Sequence, residues 1–494
     1  MDKTKTIQGP SGGFKLSVTT LAIMNVTAVV SLRGLAAESV YGLSSAFYYL
    51  FAAMVFLIPT ALVAAELAAM FSDKEGGVFR WVGEAFGTRL GFLAIWLQWI
   101  QSTIWYPTVL TFGAVSIAFI GMDQHSDMAL ASNKLFTIVV VLAIYWTATF
   151  ISLKGLNWVG KISKWGGIIG TIIPAALLII LGIVYLATGG VNNMDMSAGF
   201  WPDLSKFDNL VLASSIFLFY AGMEMMGVQV MEVDNPKRNY PKAIIIGSAI
   251  TVAIFILGTF SLGFIIPAKD VSLTQSLLIG FDRYLDYIHL SYASPIIAIA
   301  LMFGVLAGVL TWVAGPSKGI FMVGKAGYLP PFLQKSNSNG VQRNILLIQG
   351  AIVTLLSLLF VVMPSVQSFY QILSQMTASL YLIMYMMLFA AAIVLRYRLK
   401  DKVRPFRLGN NFTMWIIAGL GFCGSLLAFI LSFIPPAQIA TGSPKTWVTI
   451  LVIGCIVVIV IPFIIYALRS ESWKNKDTQI APFEWEKTAD NQKS

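Results

Sequence analysis

Two runs place polar chemistry inside apolar stretches. The run Ser31-Leu32-Arg33-Gly34-Leu35, with Glu38 five residues beyond Arg33, sets a guanidinium and a glycine there. The run Phe219-Tyr220-Ala221-Gly222-Met223-Glu224 does the same with a carboxyl group. An ionisable group at the middle of a bilayer costs roughly 3 kcal/mol or more, so a helix that merely spans has no reason to carry one. Glycine at such a point unwinds the helix, exposing N–H groups at the start of one half and carbonyls at the end of another. That pair of ends suits a zwitterion, with its carboxylate at the positive start of the outer half after Gly34 and its ammonium at the carbonyl end of the second break. The class this favours is an α-amino acid over a sugar or a simple anion.

Bond-making chemistry is not suggested. The Gly-x-Ser-x-Gly patterns at Gly9-Pro10-Ser11-Gly12-Gly13 and Gly315-Pro316-Ser317-Lys318-Gly319 lack the strand-to-helix setting of a nucleophile elbow, there is no phosphate loop, and His125 and His289 have no second ligand at helical spacing. The two cysteines, Cys423 and Cys455, both lie in apolar stretches. Neither an enzyme nor a cofactor or metal site is expected.

The elements that must hold these runs are membrane helices. Of 494 residues, 57% are hydrophobic and 11% charged, a balance that cannot clothe a soluble globule. A bilayer needs ~20 apolar residues per helix to cross ~30 Å. Such stretches fall at 18–41, 45–70, 91–119, 135–153, 163–188, 209–232, 243–267, 293–320, 345–363, 366–395, 411–434 and 446–468. We number these expected spans one to twelve. Alternating ten-residue strands are absent, so the expected fold is an all-α membrane protein of twelve transmembrane helices. The polar residues 1–17, with Lys3, Lys5 and Lys15, lack the pattern of a signal peptide and read as a cytoplasmic tail, as do residues 469–494.

The net charge of +10 is a topology signal. With the N-terminus inside, 27 of the 33 Lys and Arg fall on the cytoplasmic side, five fall outside (Lys134, Lys206, Lys269, Arg283, Lys445) and Arg33 falls within a span. The tally agrees with an even number of spans and both termini in the cytoplasm. External connectors carry Asp123, Asp127, Asp195, Asp203, Asp208, Asp270, Asp282 and Asp286. Clusters such as Arg396, Arg398, Lys400, Lys402 and Arg404 then contact anionic lipids, and no nucleic-acid partner is expected. The two broken runs lie in spans one and six, corresponding places in two successive five-helix halves. This position alone points to an inverted repeat, 18–188 and 209–395, followed by extra helices at 411–468.

Three loop motifs carry a family resemblance. Glu75-Gly76-Gly77-Val78-Phe79-Arg80-Trp81-Val82 leads into span three, with Phe86-Gly87 and Gly91-Phe92 beyond it. Glu232-Val233-Asp234-Asn235-Pro236-Lys237-Arg238-Asn239-Tyr240-Pro241 follows span six. Trp312-Val313-Ala314-Gly315-Pro316-Ser317-Lys318-Gly319 closes span eight, with Gly327-Tyr328-Leu329-Pro330 after it. Together they resemble the amino acid, polyamine and organocation superfamily, and within it the glutamate:GABA antiporters, over roughly residues 15 to 470. The resemblance implies a LeuT-like five-plus-five inverted repeat with discontinuous helices one and six. It also implies exchange of one amino acid for another or for its amine, across a bacterial inner membrane. By the same token the binding region corresponds to Ser31, Arg33, Gly34 and Leu35 in span one and to Tyr220, Ala221, Gly222 and Glu224 in span six. Trp105 and Tyr106 in span three and Trp312 in span eight are expected as aromatic gates. The chain departs from close glutamate exchangers at Leu32-Arg33-Gly34, and its tail after Arg469 has about 25 residues and no histidine, so no folded C-terminal plug is expected.

Each residue has a second reading. Arg33 either meets a substrate carboxylate, disfavouring cationic substrates, or pairs structurally with Glu38, Glu66 or Glu224. Glu224 either couples protons or pairs structurally, whereas Glu66 reads as structural. The aromatics either gate a cavity or pack at interfaces. Gly166, Gly167, Gly170, Gly304 and Gly308 read as helix-contact surfaces, and Pro174, Pro295 and Pro462 as kinks. Span five carries no internal lysine, since Lys161 and Lys164 lie at its start, and span eight lacks the paired hydroxyls of sodium-coupled relatives. The expected function is antiport of a neutral or acidic amino acid against an internal amino acid or its decarboxylation product. The alternative is a proton-coupled permease; a sensor would carry a soluble output segment.

Overall fold

The computed structural model describes residues 15–121, 123–197, 199–202, 215–272, 274–362, 366–434, 444–474 and 481–486. Lys3, Lys5, Asp203, Lys206, Asp208 and the start of expected span six lie outside the described residues. Among the described residues the regular structure is helical, with one isolated bridge between Leu16 and Val233. Nine helices there are long and apolar enough to cross a bilayer, and they occupy expected spans one, two, four, five, seven, eight, ten, eleven and twelve. The ninth stretch is the helix Arg343–Val362.

The third and sixth stretches differ for physical reasons. The third is the 31-residue helix Thr88–Ala118. Its Gln98, Gln101, Ser102, Thr103 and Thr108 are all buried, and it packs against the helices of spans eight and ten. A helix surrounded by protein need not present an apolar face to lipid. The sixth is broken: a helix at Ser215–Phe219, an open turn through Glu224, then a 3-10 helix at Met225–Glu232. The first breaks likewise, with a helix at Val18–Val29, extended backbone at Val30 and Ser31, a 3-10 turn at Leu32–Gly34 and a short helix at Leu35–Ser39.

Small residues let the helices that frame these breaks approach closely. A Cβ on Gly170 would lie 2.1 Å from the backbone nitrogen of Gly304, so spans five and eight meet backbone to backbone.

One expectation is corrected at the face that carries Lys74, Arg80 and Lys402. The tail segment 481–486, not expected to fold, docks on the short helix Val78–Phe86 between spans two and three. Phe483 is buried under the Arg80 guanidinium at 4.5 Å, and Trp485 Nε1 donates to the Gly83 carbonyl at 3.2 Å. The Glu484 N–H donates to Glu84 at 2.9 Å, and its carboxylate pairs with Lys74 and with Lys402 at 3.0 Å. Two aromatics in six residues give even a short tail an apolar face worth burying.

Candidate functional site

Breaking a helix leaves backbone groups without partners, and each break here is completed by a side chain from another helix. The Ala28 carbonyl, released where span one unwinds, accepts from Trp312 Nε1 of span eight at 2.8 Å. The Gly222 N–H, in the turn of span six, donates to the Tyr385 hydroxyl of span ten at 2.6 Å. Gly222 has φ +120°, a conformation that L side chains rarely adopt, and a Cβ there would sit 2.8 Å from the Trp312 ring.

Between the two breaks lies a cavity of about 80 Å³. Of the expected residues, Ser31, Arg33, Gly34, Trp105, Ala221 and Trp312 line it. Trp105, Trp312 and Tyr381 form an aromatic wall, with ring centroids 5.5 Å and 5.9 Å apart. Arg33 is held by its Nη1 bond to the Thr108 carbonyl at 2.8 Å and its Nε bond to Ser31 Oγ at 3.1 Å.

Four expected residues stand behind the wall. Leu35 is fully buried at the Gly258 contact with span seven, and the Tyr220 ring packs on Phe255 at 5.4 Å. Gly222 shapes the turn, and Glu224 is buried one layer beyond. The Glu224 carboxylate accepts from Gln98 at 2.9 Å, from Tyr385 at 2.5 Å and from Tyr381. Glu66, one of the three carboxylates open as a structural partner of Arg33, is engaged elsewhere. It pairs with Arg396 at 2.7 Å and Arg404 at 3.3 Å, and accepts from the Leu408 N–H at 2.7 Å.

Two local expectations are revised. At the first break the Gly34 N–H donates to the Ser31 carbonyl at 3.0 Å and the Leu35 N–H to Leu32, so the 3-10 turn takes up these two amides. Arg33 is a cation on the cavity wall. Tyr106 is no gate here, because it is fully buried and turned to Tyr145 of span four at 5.2 Å. Sequence reasoning passed over Gln101, Gln375, Thr377 and Tyr381, which also line the cavity with Phe219 of the second broken run. The signal was present: span ten carries Gln375, Thr377, Ser379, Tyr381 and Tyr385 within a stretch expected to cross the bilayer.

A bundle of apolar helices, two of them broken around a small cavity with one guanidinium and an aromatic wall, defines an α-helical membrane transporter of small solutes. The chain belongs to the amino acid permease family, whose profile matches residues 16–463. It is 36% identical to an uncharacterized transporter of Legionella pneumophila, covering 91% of this chain and 96% of that protein. It is 35% identical to a glutamate/gamma-aminobutyrate antiporter of Lactococcus lactis, covering 86% of this chain and 85% of that protein. A probable agmatine/putrescine antiporter of the same species is 26% identical over 89% of this chain and 92% of its own length.

Proposed function

We propose that the chain exchanges an external neutral or acidic amino acid for an internal amino acid or its decarboxylation product by alternating access. The observation that carries this is the cavity between the two broken helices, with Arg33 on its wall. A guanidinium suits a carboxylate in planar, charge-assisted contact, and it opposes a dication such as agmatine or putrescine. The aromatic wall of Trp105, Trp312 and Tyr381 offers the apolar remainder of an amino acid a surface. Ser31, Gly34, Ala221 and Phe219 complete the first layer, while Leu35, Tyr220, Gly222 and Glu224 hold it from behind. The relative named for glutamate and gamma-aminobutyrate supports the acidic choice.

The same reading takes twelve spans in a five-plus-five inverted repeat with two extra helices, embedded in a bacterial inner membrane with both termini in the cytoplasm. A second reading, proton-coupled uptake without a counter-substrate, is favoured by one observation. Glu224 is a buried carboxylate whose three hydrogen bonds come from neutral groups, a setting suited to a group that gains and loses a proton.

The test is uptake of labelled amino acids into liposomes holding the purified protein. Acceleration by preloaded unlabelled amino acid or amine is the expected result. Equal uptake into empty vesicles driven by a pH gradient overturns exchange in favour of the permease.

A further inference from the structure

The tyrosine that closes span twelve has a guanidinium group against it from each of two spans. The guanidinium carbon of Arg469 lies 4.0 Å from the centroid of the Tyr466 ring, and that of Arg89 lies 5.4 Å from it. Arg469 also reaches the ring of Tyr328, in the third loop motif, at 5.5 Å. Arg89 is the second residue of the helix Thr88–Ala118, and Arg469 follows the end of the helix Pro444–Ala467. The two helices are joined at this end, where Thr88 Oγ1 and the Tyr466 hydroxyl share a hydrogen bond of 2.8 Å, and deeper, where Trp96 Nε1 donates to the Val458 carbonyl at 3.1 Å. Both arginines therefore stand at the same end of neighbouring spans, at the depth of lipid headgroups.

Stacking on a ring orients a guanidinium but uses none of its five N–H donors. Among the described residues neither arginine makes a hydrogen bond or an ion pair, and both are exposed. Other cations of this face are neutralised within the protein: Arg396 and Arg404 by Glu66, Arg80 by Glu84, and Lys74 and Lys402 by Glu484. Glu486, whose field reaches Tyr328, is turned to its own segment and accepts from the Phe483 N–H at 2.8 Å. Two like charges brought to one ring without a carboxylate repel each other, so the arrangement calls for an anion that meets both. On the membrane side of Arg469, Ile464 and Leu468 are exposed apolar side chains of span twelve. A soluble anion has no use for them, whereas a phospholipid lays acyl chain there while its phosphate meets the guanidinium groups.

We propose that Arg89 and Arg469, set on Tyr466, form a site for the phosphate of an anionic phospholipid at the junction of spans three and twelve. The phosphodiester oxygens accept from the N–H donors of both arginines, and the lipid thereby fastens span twelve to span three. The site is separate from the cavity at Arg33 and independent of which solute is carried.

The test is native mass spectrometry of the full-length protein in detergent, titrated with phosphatidylglycerol, with phosphatidylcholine of the same acyl chains, and with inorganic phosphate. The parent is expected to hold phosphatidylglycerol in preference to phosphatidylcholine, and millimolar inorganic phosphate should not displace it. Arg89→Gln or Arg469→Gln should each weaken phosphatidylglycerol binding about fivefold, and the two together about 30-fold, the scale of one and of two basic side chains at a membrane surface. Lys161→Gln with Lys335→Gln, which removes two exposed charges elsewhere, should leave binding unchanged. Equal weakening in that control would reduce the effect to bulk charge, and loss of the preference over phosphatidylcholine would remove the anionic headgroup. Displacement by inorganic phosphate would assign the site to a soluble anion. Each of these overturns the proposal, as does parental affinity in the double variant. A thermal transition in lipid-free detergent checks that the variants fold, and the single variants decide if the double variant does not.

Discussion

Gly222 sits at φ +120° against the Trp312 ring while its N–H is held by Tyr385, so backbone, aromatic wall and span ten meet at one residue. Gly222→Ala is expected to cost about 1–3 kcal/mol from the strained backbone, on top of the displacement of Trp312. Thermal unfolding in detergent checks the stability, and substrate uptake should fall with it. Arg33 gives a different kind of prediction. Charge-assisted hydrogen bonds contribute about 1.5–3 kcal/mol, so Arg33→Gln is expected to raise the KM for carboxylate-bearing substrates about 10- to 100-fold. The decisive comparison is an amino acid against its decarboxylated amine. A contact with substrate penalises the acid selectively, whereas a structural role weakens transport of both equally.

At the scale of elements, the breaks in spans one and six were legible because glycine and charge inside an apolar run both destabilise a plain spanning helix. The cavity wall from span ten was not, because Gln375, Thr377 and Tyr381 are uncharged and a single helix in isolation does not reveal which face meets the breaks. The 3-10 turn at Leu32–Gly34 was equally hidden, since local pattern cannot tell it from the first turn of an α-helix. The tail was misjudged from its length, when its worth lay in Phe483 and Trp485. Its docking has a definite pH dependence. Burial raises the Glu484 carboxyl, but hydrogen bonds and charge from Lys74 and Lys402 outweigh it and bring it to about 2. A carboxyl held below its unfolded value near ~4.3 stabilises the docked form above that pH, and the contribution is lost as pH falls toward about 2. Glu84 acts oppositely, because burial raises it and protonation relieves the cost of its charge. Glu484→Gln is expected to speed amide hydrogen exchange in residues 481–486 about three- to fivefold at neutral pH, the modest worth of a partly exposed pair. Parental protein should approach that rate only on acidification below about pH 4, and a variant indistinguishable from the parent at neutral pH would remove the ion pairs from the account.

For the whole molecule, the first and last described segments meet at one face. Leu16 bonds to Glu232, Glu232 pairs with Lys318, Glu75 feels both, and Arg80 of the same loop holds Phe483 and the carbonyl of Ala481 at 2.5 Å. A chain that begins and ends its membrane domain at one face has crossed an even number of times. The distribution of basic residues adds the direction, because translocating loops rich in Lys and Arg is disfavoured. The face that joins Lys15, Lys74, Arg80, Lys318 and Lys402 is therefore expected to be the cytoplasmic one, and the face of Asp123 and His125 the external one. In a background with Cys423→Ser and Cys455→Ser, His125→Cys should react with an impermeant thiol reagent on intact cells, and Lys400→Cys only after permeabilisation. Reaction of both on intact cells would require an even number of crossings between them, where expected spans four to ten supply an odd one. Reaction of Lys400→Cys alone would invert the molecule, turning the docked tail to the outside.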